Sequence, residues 1–259
     1  MPARKYKRIS RTALITGGAN RIGRRIALDL AEQGFGVAIH AHRSLDAAQK
    51  LATEICDAGG EAIAVQADLE DIAQTSLLVE KAIDGIGTID LLVNNASVFR
   101  NDEATAFDAA NFEAHFAVHV RAPSILAAAF SAALPADQQG LIVNMIDQRV
   151  WALNPRFYSY TLSKATLWTA TQTLAQALAP RIRVNAIGPG PALKGPRQSE
   201  EDFQAQIAAI LLKRGPALEE FARTIRFLYD TPSITGQMIA LDGGQHLAWE
   251  TPDLTGISE

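Results

Sequence analysis

Tyr160 and Lys164 stand four residues apart in a stretch rich in alanine, leucine and threonine, so a helix there puts both side chains on one face. An ammonium beside a phenol favours the phenolate and lowers its pKa, making Tyr160 a proton donor that can be recharged near neutrality. Asp147 closes the apolar run before that helix, at a strand end where a crevice would open. Read alone, the pair fits a surface aromatic and cation, and Asp147 fits a cap or turn acid. A second cluster raises the chemical reading: Thr16-Gly17-Gly18-Ala19-Asn20-Arg21-Ile22-Gly23. Gly17 can take a positive φ for a tight turn, and Gly23 lets a phosphate-bearing ligand approach the first helical turn. The free amides of that turn and the helix dipole favour an anion such as a pyrophosphate. Arg21 is the unusual member; its guanidinium could pair with phosphate, bond a polar substrate, or stand solvated.

These residues need strands and helices to hold them, and the chain supplies an alternation of both. Short apolar runs at 12–16, 36–40, 62–67, 89–94, 140–146, 183–187 and 237–241 read as strands. Amphipathic stretches at 24–33, 46–58, 71–85, 158–178, 200–213 and 218–229 read as helices, as does a longer one from Phe112 to Leu134 that Pro123 interrupts or tightens. Near-continuously apolar strands alternating with helices predict an α/β fold, a doubly wound, mostly parallel sheet with helices on both faces. Its strand ends should line one crevice, where such sheets bind ligands. No repeat or composition shift divides residues 1–259, so one domain is expected. The Gly188-Pro189-Gly190-Pro191 cluster should turn the chain across the crevice mouth.

Composition narrows the partners. The 259 residues carry a formal charge of -4, which gives no basic excess for nucleic acid. Residues 1–10 hold Arg4, Lys5, Lys7 and Arg8 and read as a flexible basic arm without the apolar core of a signal peptide. No later segment reads as a membrane span, and the single cysteine, Cys56, excludes an intrachain disulfide. A cytoplasmic protein is expected. His40, His42, His115, His119 and His246 show no spacing that specifies a metal, so no metal site is assigned. Trp151, Phe157, Tyr158 and Trp168 read as core, subunit face or substrate mouth.

The glycine stretch, Asp68-Leu69, Asn94-Asn95-Ala96, Tyr160 to Lys164, Arg183 to Gly190, Thr235-Gly236 and Asp242-Gly243-Gly244 together resemble the short-chain dehydrogenase/reductase superfamily over residues 12–247. Within it the sequence is similar to pteridine reductases and bacterial dihydropterin (dihydromonapterin) reductases. The resemblance implies a Rossmann-type domain that binds NADP(H) and works as a homotetramer or homodimer. It implies cofactor contacts from Thr16, Gly17, Asn20, Arg21, Ile22, Gly23, His40, His42, Arg43, Ser44, Asp68, Leu69, Asn95, Ala96, Ser97, Tyr160, Lys164, Pro189 and Gly190. Substrate contacts fall to Arg21, Ser97, Phe99, Asp147 and Tyr160, with residues 191–217 covering the substrate.

In that family Tyr160 is the acid, Lys164 holds the nicotinamide ribose and tunes the tyrosine, and Asp147 supports proton delivery. Arg21 replaces a common glycine and Asp147 the usual carbonyl-polarising serine, as in pterin reducers. No acid follows the second strand to hold a ribose hydroxyl, whereas Arg43 and Ser44 can receive a 2'-phosphate, so NADP(H) is expected over NAD(H). His119 departs from the usual asparagine and puts the family's water relay in question. The implied reaction reduces a dihydropterin, a small planar substrate, to a tetrahydropterin. The alternatives are reduction of a carbonyl or 3-oxoacyl group, or a nucleotide-binding regulatory protein without turnover.

Overall fold

The computed structural model describes residues 11–195 and 198–250. The expected basic arm at 1–10 lies outside them, as do two residues of the covering segment, 196 and 197.

Seven parallel strands form one sheet: β1 (Thr12–Ile15), β2 (Gly36–Ala41), β3 (Glu61–Gln66), β4 (Leu91–Asn94), β5 (Gly140–Met145), β6 (Ile182–Pro189) and β7 (Met238–Leu241). Their order is β3-β2-β1-β4-β5-β6-β7. The chain starts in the middle, winds outward to β3, then returns to β4 and winds the other way, so the switch point lies between β1 and β4. β1, β2, β4 and β5 are buried along their whole length, which is why these runs read as continuous apolar segments and not as alternating ones.

Helices cover both faces of the sheet. On one face α1 (Arg21–Glu32), α2 (Leu45–Asp57) and α8 (Leu218–Asp230) bury Ile26, Leu30, Leu51, Ile55, Phe221, Ile225 and Leu228 against β1, β2 and β5. On the other, α3 (Ile72–Ile86), α5 (Ala122–Ala133) and α6 (Tyr158–Leu178) bury Leu78, Leu126, Phe130 and Ala175 against β4 and β5. Each fully buried side chain of this size contributes about 1.5–3 kcal/mol. Buried side-chain amides link the strands to α6: Asn94 donates to Asn144, which donates to Thr171, at 2.8 and 2.9 Å.

The largest departures from the sequence expectation are in two helices, while α1 starts early at Arg21 and β6 continues through Gly188 and Pro189 of the cluster expected to end it. The long helix starts earlier, as α4 (Ala109–Phe116), and passes through one π-turn at Ala117–Arg121 before α5. Pro123 in the first turn of α5 has no N–H to donate and its ring crowds the carbonyl four residues back, so the backbone widens just before it. The amide of Ala122 accordingly bonds the Ala117 carbonyl. The run Ala109–Ala133 reaches the length and apolarity of a membrane span, which corrects the expectation that no segment does. Within the fold its apolar residues pack against α3 and α6.

The second difference is α7, which spans Glu200–Ala209 and stops four residues short of Lys213. Ile210 leaves the helix to become buried, Lys213 takes a positive φ of 52°, and the Leu212 amide bonds the Gly243 carbonyl. Tertiary contacts with the turn after β7 thus override the helical pattern.

Candidate active site

The crevice lies at the carboxyl ends of β1, β4 and β5. The turn after β1 is built by close backbone approach. Gly17 has φ +60°, and a Cβ on it would lie 3.0 Å from the Ala96 Cα. A Cβ on Gly23 would lie 2.3 Å from the Gly17 carbonyl and 2.6 Å from the Asn95 amide nitrogen, so only glycine fits. Thr16 and Asn95 hold this turn to β4. The Thr16 hydroxyl accepts from the amides of Asn95 and Ala96 at 2.9 and 3.0 Å, while the Asn95 side chain donates to the carbonyls of Thr16 and Gly17. Both side chains are therefore committed to shaping the turn.

His40 belongs with them. Its Nδ1 accepts from the Gly17 amide at 3.1 Å and its Nε2 faces the Ala67 carbonyl at 3.0 Å, with 2% of the residue exposed. Burial pushes its pKa down to about 4, so the ring is neutral and supports the turn. Both of its ring nitrogens are thus engaged within the protein. His42 is exposed and lies 3.5 Å from Asp68, whereas Leu69 is buried in the core. Gly190 is packed on Asp242, whose Cα would be 2.6 Å from an added Cβ, so that glycine serves the junction of β6 and β7. Pro189 closes β6 beside it.

Arg21 has φ +52°, a left-handed conformation rare for a residue with a side chain. Asn20 caps α1 in extended geometry and Ile22 follows partly buried, so the strain is confined to Arg21. The Arg21 guanidinium donates to the Leu193 and Lys194 carbonyls at 3.3–3.5 Å, linking the glycine turn to the covering segment.

α6 delivers the two expected chemical residues. Tyr160 donates its hydroxyl proton to Asp147 Oδ2 at 2.9 Å, and Lys164 donates to the Met145 carbonyl at 2.8 Å. Asp147 uses both carboxylate oxygens: Oδ1 caps the short 3-10 turn Gln148–Val150 through the Arg149 amide at 2.8 Å, and Oδ2 accepts from the tyrosine. The expected lowering of the tyrosine pKa is reversed in this arrangement. Burial first, then the Asp147 charge and hydrogen bond, raise Tyr160 well above the ordinary phenol value. The ammonium instead turns to Met145 and stands 5.7 Å from the ring centroid. Burial lowers Lys164 to about 8, against a partial offset from Asp147.

Two residues that sequence reasoning did not single out, Asp102 and Arg149, complete the site. Buried Asp102 accepts from the Ser159 amide at 3.0 Å and from its hydroxyl, fixing the start of α6 across 57 residues of chain. Arg149 lies over the rings of Phe157 and Tyr160 at 5.3 and 5.9 Å. His115 lies 6.0 Å from the Tyr160 ring. Phe99 is half exposed, stacks on Phe157 at 4.2 Å and meets Tyr160 edge-on at 4.7 Å. Trp151 touches Trp168 and His246 at the outer rim. Among the described residues, no group of three His, Cys, Asp or Glu is placed to hold a metal.

The profile of the family described as short chain dehydrogenase matches residues 11–204, three quarters of the chain. The protein belongs to the short-chain dehydrogenase family. Among solved structures it is similar to FolM alternative dihydrofolate reductase 1 from Brucella suis in complex with NADP, at 60% identity and a TM-score of 0.92, over 94% of this chain and 98% of that one. It is also similar to a blue fluorescent protein from a metagenomic library in complex with NADPH, at 31% identity and a TM-score of 0.83, over 90% and 97% of the chains. A 3-oxoacyl-[acyl-carrier-protein] reductase of Synechocystis sp. is 33% identical over 91% of this chain and 96% of its own.

Proposed function

We propose that the protein reduces a dihydropterin to a tetrahydropterin at the expense of NADPH. The chain is an NADPH-dependent short-chain reductase, and its residues fit that cofactor. The glycine turn leaves backbone room for a pyrophosphate. Arg43 is exposed at the end of β2 with no hydrogen-bond or ion-pair partner among the described residues, and Ser44 at the start of α2 makes no capping bond. When bound, NADPH supplies a hydride. Arg43→Ala is expected to weaken NADPH by about 10–100-fold, since a charge-assisted hydrogen bond contributes about 1.5–3 kcal/mol. NADH binding should change less than about twofold on the same scale; equal losses in fluorescence titrations would show that Arg43 only maintains the loop.

The observation that carries the substrate class is the Tyr160–Asp147 bond. Reducing a ring carbon-nitrogen double bond adds hydride to carbon and leaves an electron pair on nitrogen that must take a proton. Tyr160 donates it, and the adjoining carboxylate returns a proton to the tyrosine from solvent, directly or through water. In carbonyl reduction a developing oxyanion beside this carboxylate would be opposed by its charge. The relation to the Brucella dihydrofolate reductases supports the same reading. Phe99 provides an aromatic wall beside Tyr160 for a planar ring.

The second reading, reduction of a 3-oxoacyl or other carbonyl group, is favoured by the Synechocystis relative. NADPH oxidation measured with 7,8-dihydropterins, dihydrofolate, ketones and oxoacyl thioesters separates the two. Formation of a tetrahydropterin supports the first, and failure of every pterin beside efficient carbonyl reduction rejects it. The proposal includes a cytoplasmic homotetramer, whose stoichiometry light scattering would read.

A pH dependence follows from Lys164. Its folded pKa of about 8 lies below the usual 10.5, so the ammonium is present below about 8 and is lost as pH rises through it. The value of kcat/KM for NADPH should therefore fall above that pH, because the ribose-holding donor and positive charge are lost together. A flat profile from pH 7 to 9 would remove this assignment.

A further inference from the structure

His115 of α4 and His119 of the π-turn have no part in the reaction drawn above. Both rings are buried and lie 5.7 Å apart. His119 Nε2 accepts from the Val98 amide at 3.1 Å, and His115 Nε2 accepts from the Arg100 amide at 3.3 Å. A backbone N–H can only donate, so each Nε2 carries the lone pair and each Nδ1 the proton. In His119 that proton goes to Ser163 Oγ at 2.8 Å, whose own hydroxyl donates to the Tyr160 carbonyl at 2.8 Å. The Ser97 hydroxyl also reaches His119 Nε2, at 3.0 Å. The two anchored amides flank Phe99.

We propose that His115 and His119 form a paired clamp of positioning residues, holding the 97–100 segment by alternate backbone amides. The clamp sets the Phe99 ring and the Ser97 hydroxyl relative to Tyr160, and so sets affinity for a planar substrate; it rests on the reading of Phe99 as the substrate wall. An imidazole suits this task because its two nitrogens lie on opposite sides of a rigid ring. His119 thereby spans from the segment to α6, which an asparagine amide, with both polar atoms at one end, does not bridge. Burial is the first cause holding both rings below the ordinary histidine value, His119 well below, so the lone pairs stay available at neutral pH. With both its nitrogens engaged, His119 anchors the segment and does not relay protons.

The test joins amide hydrogen exchange with kinetics. His115→Leu should speed exchange at Arg100 and raise KM for the substrate about 3–10-fold, the range of one net hydrogen bond, with kcat and NADPH affinity within about twofold. His115→Gln carries an acceptor at the reach of Nε2 and should restore both values. His119→Leu should likewise speed exchange at Val98 and raise KM, and His119→Gln, which supplies the acceptor but not the bond to Ser163, should restore the exchange at Val98. If the leucine variant does not fold, His115→Phe keeps the ring volume without the lone pair and takes its place. Unchanged exchange and KM in the leucine or phenylalanine variant would overturn the clamp, as would a glutamine variant no better than leucine. Phe99→Ala separates the clamp from its premise: a raised KM there with none in His115→Leu removes the clamp alone, whereas unchanged KM in Phe99→Ala removes the substrate wall.

Discussion

Tyr160→Phe is expected to lower kcat by about 10²–10⁴-fold, the range for a positioned proton donor, while NADPH binds as before. The hydroxyl is the only group removed, and the Tyr160 ring keeps its contacts with Phe99 and His119. The loss therefore falls on an interaction made in the transition state and not on cofactor affinity. Single-turnover rates with NADPH already bound isolate that step. A variant turning over at the wild-type rate would end the tyrosine's role as acid. Lost NADPH binding would mean that the hydroxyl serves the cofactor instead. Asp147 would in that variant retain its cap to the Arg149 amide, so the turn itself should survive.

Asp147→Ser is expected to reduce dihydropterin turnover by about 10²-fold or more, on the same proton-transfer scale, and to lower ketone reduction far less. Serine is too short and uncharged to take both present bonds, one to the Arg149 amide and one to the Tyr160 hydroxyl. Removing the carboxylate also removes the charge that, after burial, holds the Tyr160 pKa high, so the phenol should titrate at lower pH in the variant. The two consequences can be read together from pH–rate profiles for a dihydropterin and a ketone. Equal losses for both substrates would mean that Asp147 only supports the turn. A dihydropterin rate unchanged from wild type would remove the carboxylate from proton delivery altogether.

Much of this protein was legible in its residues because the relevant signals are local. Apolar runs buried on both faces, helices with one apolar stripe, and the Gly17-to-Gly23 turn each depend on neighbours within about ten residues, and they specify an α/β sheet with a crevice at its strand ends. Tyr160 and Lys164 share a helix face by spacing alone, and α6 spans Tyr158–Leu178 as that pattern predicts. What only the folded chain decided are the contacts between segments distant in sequence. The direction of the Tyr160 pKa depends first on its burial and then on the charge and accepted hydrogen bond of Asp147, while Lys164 turns to Met145. The commitment of His40 to the glycine turn joins residues 23 apart, and that of Asp102 to the start of α6 joins residues 57 apart. α7 ends early because burying Ile210 and bonding Leu212 to Gly243 outweigh a helical propensity worth only a few tenths of a kcal/mol per residue. Residue type and spacing determine which elements form and which side chains share a face. Hydrogen-bond partners and desolvation exist only once distant elements pack, and these decide which nitrogen, carboxylate oxygen or ammonium is left free for chemistry.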